Sequence, residues 1–154
     1  MSTKFMSHQT LKYGILTLVG LGLALSQLQA AITINIGAEK LKDPGGYDMA
    51  VAGVVVLVAD ANRNGFGGAG DTSFVTGDDV MIAKWDIASG GGNNPGAFQG
   101  TTGSVPFSGD WDEGDPLAIY WFPTLTSADA SPGAAVPYGM FRVIAESLTL
   151  SGTI

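Results

Sequence analysis

The stretch Asp60-Ala61-Asn62-Arg63-Asn64-Gly65-Phe66-Gly67-Gly68-Ala69-Gly70-Asp71 spaces its oxygen-bearing side chains as a calcium loop does. It matches the D-x-[DN]-x-[DN]-G start of such loops, and Asp71 falls at the twelfth position, where the last carboxylate belongs. Calcium takes about six to eight oxygens, and alternate residues of a tight loop supply them. Asp60, Asn62 and Asn64 would aim their side chains inward, Phe66 would offer its carbonyl, Asp71 would close the set, and Gly65 permits the bend. The loop is not an EF-hand. Asn62 and Asn64 are neutral, Asp71 is shorter than the usual bidentate Glu, and the flanks read as a strand and a Gly-rich loop. A calcium ion here would bind weakly, with Kd on the order of 10⁻⁴ to 10⁻³ M. A polar turn in which Asp60 and Asn62 cap their own backbone accounts for the same residues. Asp78 and Asp79 add carboxylates to the site if the chain folds back after Thr76.

A second acidic knot, Asp110-Trp111-Asp112-Glu113-Gly114-Asp115-Pro116, lies directly before an apolar run. An exposed ring beside carboxylates is the chemistry of a sugar-binding face, with Trp111 stacking on a pyranose and Asp112 and Glu113 accepting from hydroxyls. A pair of acids could also serve a glycosidase, and a wet hairpin loop explains the same composition. No catalytic residue is assigned. The chain has no Cys, and its one His, His8, lies in the leader described below. A Ser-His-Asp triad, a Cys nucleophile and His- or Cys-based zinc sites are thereby excluded from the mature chain. Lys84 has no sequence neighbour that would lower its pKa.

The elements that must carry these loops are strands. Twenty-three glycines cluster between hydrophobic runs of strand length, the pattern of an all-β fold. Ile32 to Ile36 alternates as a strand with one wet face. Val51 to Ala59 (VAGVVVLVA) is apolar on both faces and rich in β-branched residues, so it reads as the central strand, ending at Asp60. Val80 to Ile87 places Met81, Ala83, Trp85 and Ile87 on one face and Lys84 and Asp86 on the other. Ser89 to Pro95 reads as a low-complexity surface loop. Phe98, Val105 to Phe107, Leu117 to Phe122, Tyr138 to Ile144 and Ser147 to Leu150 offer further strands, the last pair with a short helix as the alternative. Trp85, Tyr120, Trp121, Phe122 and Phe141 read as core fillers. Seven or eight short strands point to a β-sandwich, with a small β-barrel as the alternative.

Residues 1–30 have the layout of a signal-peptide helix: Lys4 and Lys12, the apolar run Gly14 to Leu25, then Ser26 to Ala30. The run is about twelve residues, short of the roughly twenty that span a bilayer, so cleavage after Ala30 or Ala31 is expected, with no membrane span thereafter. The expected domain is residues 31–154. It keeps all fourteen acidic residues against five basic ones (Lys40, Lys42, Arg63, Lys84, Arg142), a net charge of −9. Such a surface repels phosphate backbones, and nucleic acid is not an expected partner.

With this leader, the strand Val54 to Asp60 (VVVLVAD), Asn64-Gly65-Phe66-Gly67, Gly77-Asp78-Asp79, Gly114-Asp115-Pro116 followed by Leu117 to Leu125, and Pro137-Tyr138-Gly139, the chain resembles a group of uncharacterised exported bacterial proteins. Many of these are similar to exosortase-sorted (PEP-CTERM) proteins. The resemblance covers most of residues 1 to 142 and implies fold and compartment, not activity. Such proteins usually end in a Val-Pro-Glu-Pro-type segment, an apolar helix and a basic tail, which the sequence up to Ile154 does not contain. The expectation is a secreted or cell-surface structural or adhesive component of the envelope or extracellular matrix, carrying one weak calcium site. Its partners would be extracellular polysaccharide or other envelope proteins. A carbohydrate-binding module is the alternative, and an enzyme is not expected.

Overall fold

The computed structural model describes residues 30–49, 52–87 and 94–142. The leader, the loop expected at Ser89 to Pro95 and the strands expected beyond Arg142 lie wholly or largely outside these residues. The described elements are β1 (Ala31–Ile32), β2 (Asn35–Ala38), β3 (Val54–Asp60), β4 (Asp79–Asp86), β5 (Phe98–Thr101), β6 (Val105–Pro106), β7 (Leu117–Phe122) and β8 (Gly139–Arg142). The protein is all-β. A four-stranded antiparallel sheet runs β4-β3-β7-β8, and two antiparallel pairs, β1-β6 and β2-β5, stand apart from it. The sheets do not close into a barrel, and the arrangement is that of a sandwich.

β3 is buried at all seven positions because both of its faces are covered. Val54, Val56 and Val58 join Ala118, Tyr120 and Phe122 of β7 in one core layer, which is roofed by loop residues Phe66, Ala69, Phe74, Val75, Leu125 and Val136. Phe74 meets Phe122 edge to face at 5.2 Å. On the opposite face Val55 packs with Leu41, Met49, Ile87 and Phe98, and Ile36 and Ala38 bring the β2-β5 pair over it. Each fully buried Val, Leu or Phe contributes roughly 1.5–3 kcal/mol relative to exposure, so the doubly covered strand is the main source of cohesion.

Three expectations about the strands are corrected. The alternating run Ile32 to Ile36 is not one strand: β1 pairs with β6 and β2 with β5. Between them Thr102 captures Ile34, accepting its N–H through Oγ1 at 2.8 Å and donating its own N–H to the Ile34 carbonyl at 2.9 Å. In β4 the register steps from Leu57–Ala83 to Val58–Met81, leaving Ile82 as an extra residue. This bulge breaks the alternation. Met81 therefore sits opposite Val58 of the first layer instead of following Ala83 and Trp85, and it is 44% exposed. Phe141, on the outer strand β8, is 59% exposed and is not a core filler.

Candidate functional site

The β3–β4 register sets Asp60 opposite Asp79, so the last residue of one strand and the first of the next bring two buried carboxylates side by side. The chain between them is the candidate calcium loop. Asp60 organises it: Asn64 N–H donates to Oδ1 at 3.2 Å and Gly65 N–H to Oδ2 at 2.8 Å. Arg63 N–H donates to the Asp60 carbonyl at 3.3 Å. The turn this makes needs positive φ at Arg63 (56°) and Gly65 (102°). A carboxylate has about four acceptor positions, so two remain on Asp60 after both loop N–H groups are satisfied.

The chain does fold back after Thr76, and Asp78 and Asp79 close the loop. Asn62 N–H donates to Asp78 Oδ2 at 3.2 Å and Asn64 Nδ2 to Asp78 Oδ1 at 3.1 Å. Gly67 N–H donates to Asp79 Oδ2 at 2.9 Å. The Asn64 amide holds the Asp78 carboxyl below its ordinary pKa, whereas burial pushes Asp79 up, reinforced by the charges of Asp60 and Asp78 and opposed by the Gly67 N–H. Asp71, the expected twelfth-position ligand, is exposed, and its carbonyl accepts from Gly133 N–H at 2.9 Å. The Phe66 ring turns into the core against Tyr120. Among the described residues, no group of three or more His, Cys, Asp or Glu side chains converges as a metal cluster.

The two acidic regions are joined by a residue that sequence reasoning did not single out. Arg63 Nε donates to Asp115 Oδ1 at 3.0 Å, and its Nη2 donates to the Glu113 carbonyl at 3.2 Å. Asp115 in turn accepts Asp112 N–H at 2.7 Å, and Asp60 N–H donates to the Pro116 carbonyl at 3.0 Å. Asp112 and Glu113 are exposed. The expectation of an exposed ring beside them is corrected: Trp111 is 6% exposed and packs on Phe107 at 4.7 Å. The acid-rich turn forms over a covered aromatic because the large apolar surface of Trp is costly to leave in water.

A more open aromatic surface lies elsewhere. A groove of about 510 Å³ is lined by Lys42, Pro44, Trp121, Pro137 and Tyr138. Trp121 Nε1 donates to the Lys42 carbonyl at 2.8 Å, and the indole lies over Gly139, where an added Cβ would meet it at 2.1 Å. Tyr138 stacks on Phe122 at 5.2 Å and accepts Ala69 N–H at 3.1 Å.

No known protein family, characterised protein or solved structure matches the chain.

Proposed function

We propose that this chain is an exported structural or adhesive component of a bacterial envelope or extracellular matrix, whose Asp60 loop binds one calcium ion weakly. The leader-like sequence of residues 1–30 supports the compartment, as does the resemblance to exosortase-sorted proteins. The observation that supports the calcium reading is the spacing of Asp60, Asn62 and Asn64 before Gly65, with Asp60 keeping acceptor positions beyond its two loop bonds. In a chain without Cys, such a loop is held by oxygen chemistry and not by disulfides.

Thermal melting in EDTA and in added CaCl₂ tests the calcium role. A site with Kd of about 10⁻³ M adds about 1.4 kcal/mol at roughly 10 mM Ca²⁺, which for a domain of this size raises Tm by roughly 4–8 °C. An unchanged Tm removes the calcium role. Fractionation of the producing cells tests the compartment: the mature chain belongs in the envelope or medium, and its retention in the cytoplasm would refute export.

A carbohydrate-binding module is the second reading, favoured by the groove at Trp121 and Tyr138. Soluble polysaccharides should then change tryptophan fluorescence, and Tyr138→Ala should abolish the change. Binding that survives in this variant but fails in Trp111→Ala would return the sugar site to the Asp112–Glu113 turn.

A further inference from the structure

Of the chain's five asparagines, Asn64 alone is followed by glycine. An Asn-Gly step can modify itself in water. The glycine nitrogen attacks the carbonyl carbon of the asparagine side chain, and a glycine leaves that nitrogen uncrowded because it has no Cβ. Asn64 and Gly65 are both exposed, and a Cβ built on Gly65 would meet nothing within 4 Å, so water reaches the step from the open side of the loop.

Both reacting groups are held by carboxylates. The attacking nitrogen, that of Gly65, donates its N–H to Asp60 Oδ2 at 2.8 Å. The leaving nitrogen, Asn64 Nδ2, donates to Asp78 Oδ1 at 3.1 Å, and Asp78 is itself fixed by Asn62 N–H at 3.2 Å. Attack needs the Gly65 nitrogen free of its proton and Asn64 Cγ swung onto it, so both tethers must be released before the atoms meet in a reactive geometry. The nitrogen anion also forms next to the Asp60 carboxylate, and a like charge disfavours it.

We infer that Asn64 is the site at which this chain deamidates, and that Asp60 and Asp78 hold the step closed while the loop is folded. In the reaction the Gly65 nitrogen gives its proton to hydroxide and bonds to Asn64 Cγ; the Cγ–Nδ2 bond then breaks, and ammonia leaves with a proton from water. A second water opens the resulting cyclic imide at either carbonyl, giving aspartate or, with one more carbon in the backbone, isoaspartate. In balance one water is consumed and one ammonia released, and nothing is oxidised or reduced. Either product replaces the donor that Asn64 offers Asp78 with a second negative charge, and isoaspartate lengthens the turn that Asp60 caps. Opening of this one loop, a local event, sets the rate.

The test is peptide mass spectrometry of the full chain incubated in mildly alkaline buffer, resolving asparagine, aspartate and isoaspartate at each position. EDTA keeps any cation out, so the outcome is independent of the calcium reading above. The wild type is followed folded and in urea, beside Asp78→Ala and, as a control for lost charge, Asp71→Ala. In urea, Asn64 should convert faster than the other asparagines; faster conversion at Asn62 or Asn94 would overturn the site. Conversion at Asn64 should be several-fold slower in the folded wild type than in urea, a comparison that needs no variant to fold. Asp78→Ala, with folding checked by near-ultraviolet circular dichroism, should convert several-fold faster than the folded wild type, and Asp71→Ala at the wild-type rate. Equal rates folded and in urea, or a folded Asp78→Ala no faster than the wild type, would show that the carboxylates do not hold the step. Asn64→Asp reproduces one product and should lower the urea midpoint; an unchanged midpoint would overturn the loosening of the loop.

Discussion

Arg63 and Asp115, fifty-two residues apart in sequence, meet through a 3.0 Å hydrogen bond from Nε to Oδ1. The pair ties the loop after β3 to the turn before β7. Its two ends are unequal: the Arg63 side chain is 58% exposed, the Asp115 side chain 3%.

That inequality sets the first prediction. Arg63→Ala removes an exposed partner whose attraction is screened by water, and should cost about 0–1 kcal/mol. Asp115→Ala also strips the acceptor from Asp112 N–H and should cost about 1–3 kcal/mol. Urea unfolding midpoints of the two variants measure the difference. Equal losses would show that the ion pair, and not the turn capped by Asp115, carries the stabilisation.

Asp60 should be the most sensitive carboxylate of the loop. Asp60→Ala leaves the N–H groups of Asn64 and Gly65 without their acceptor, a loss of about 1–3 kcal/mol in the absence of any added metal. Asp71→Ala, at an exposed position, should change stability by less than about 0.5 kcal/mol. Chemical denaturation in EDTA compares them, and a larger loss for Asp71 would contradict the hydrogen-bond pattern.

Stability should fall on both sides of an acid optimum. Asp78, Asp86 and Asp129 have pKa values below 3.8, held down chiefly by the Asn64 amide, the Ser127 hydroxyl and the Thr126 N–H. Their stabilisation is present above 3.8 and is lost as pH falls through the lower folded values. Asp79 has the opposite sign: burial raises it above 3.8, so its contribution is present below 3.8 and is lost as pH rises through the folded value. In metal-free buffer, Asp79→Asn should remove the loss on the upper side and leave the acid limb unchanged. Unfolding midpoints from roughly pH 3 to pH 8 would show it, and an unaltered upper limb in the variant would refute the assignment to Asp79.

Gly139 is predicted to accept no side chain. An added Cβ would lie 2.1 Å from the Trp121 indole, so Gly139→Ala must push the ring away and break its bond to the Lys42 carbonyl. Overpacking of this kind costs about 1–3 kcal/mol. Tryptophan emission should shift to the red as the indole moves toward water. An unshifted spectrum with full stability would mean that the ring has another seat.

Much of the fold is legible along the chain because burial on both faces leaves a plain trace. β3 and β7 appear as apolar runs, and their ends at Asp60 and at Phe122, just before Pro123, match the change of composition. Less legible are features set by a partner strand. The alternation of Val80 to Ile87 gives no sign of the bulge at Ile82, which depends on how β4 registers against β3. Likewise Ile32 to Ile36 carries one strand pattern but meets two different partners, with Thr102 inserted between them.

The candidate site divides in the same way. Local chemistry in the sequence determines the turn: Asp60, Asn64 and Gly65 lie within one short segment, so a carboxylate, two N–H groups and a positive φ suffice to form it. Only tertiary structure decides what faces that turn. Asp79 arrives through strand register, Tyr120 through the core face of β7, and Asp115 through the reach of Arg63. Spacing along a chain encodes contacts within a turn, whereas contacts between turns depend on how sheets pack, and a linear motif extended to Asp71 contains no information about that packing.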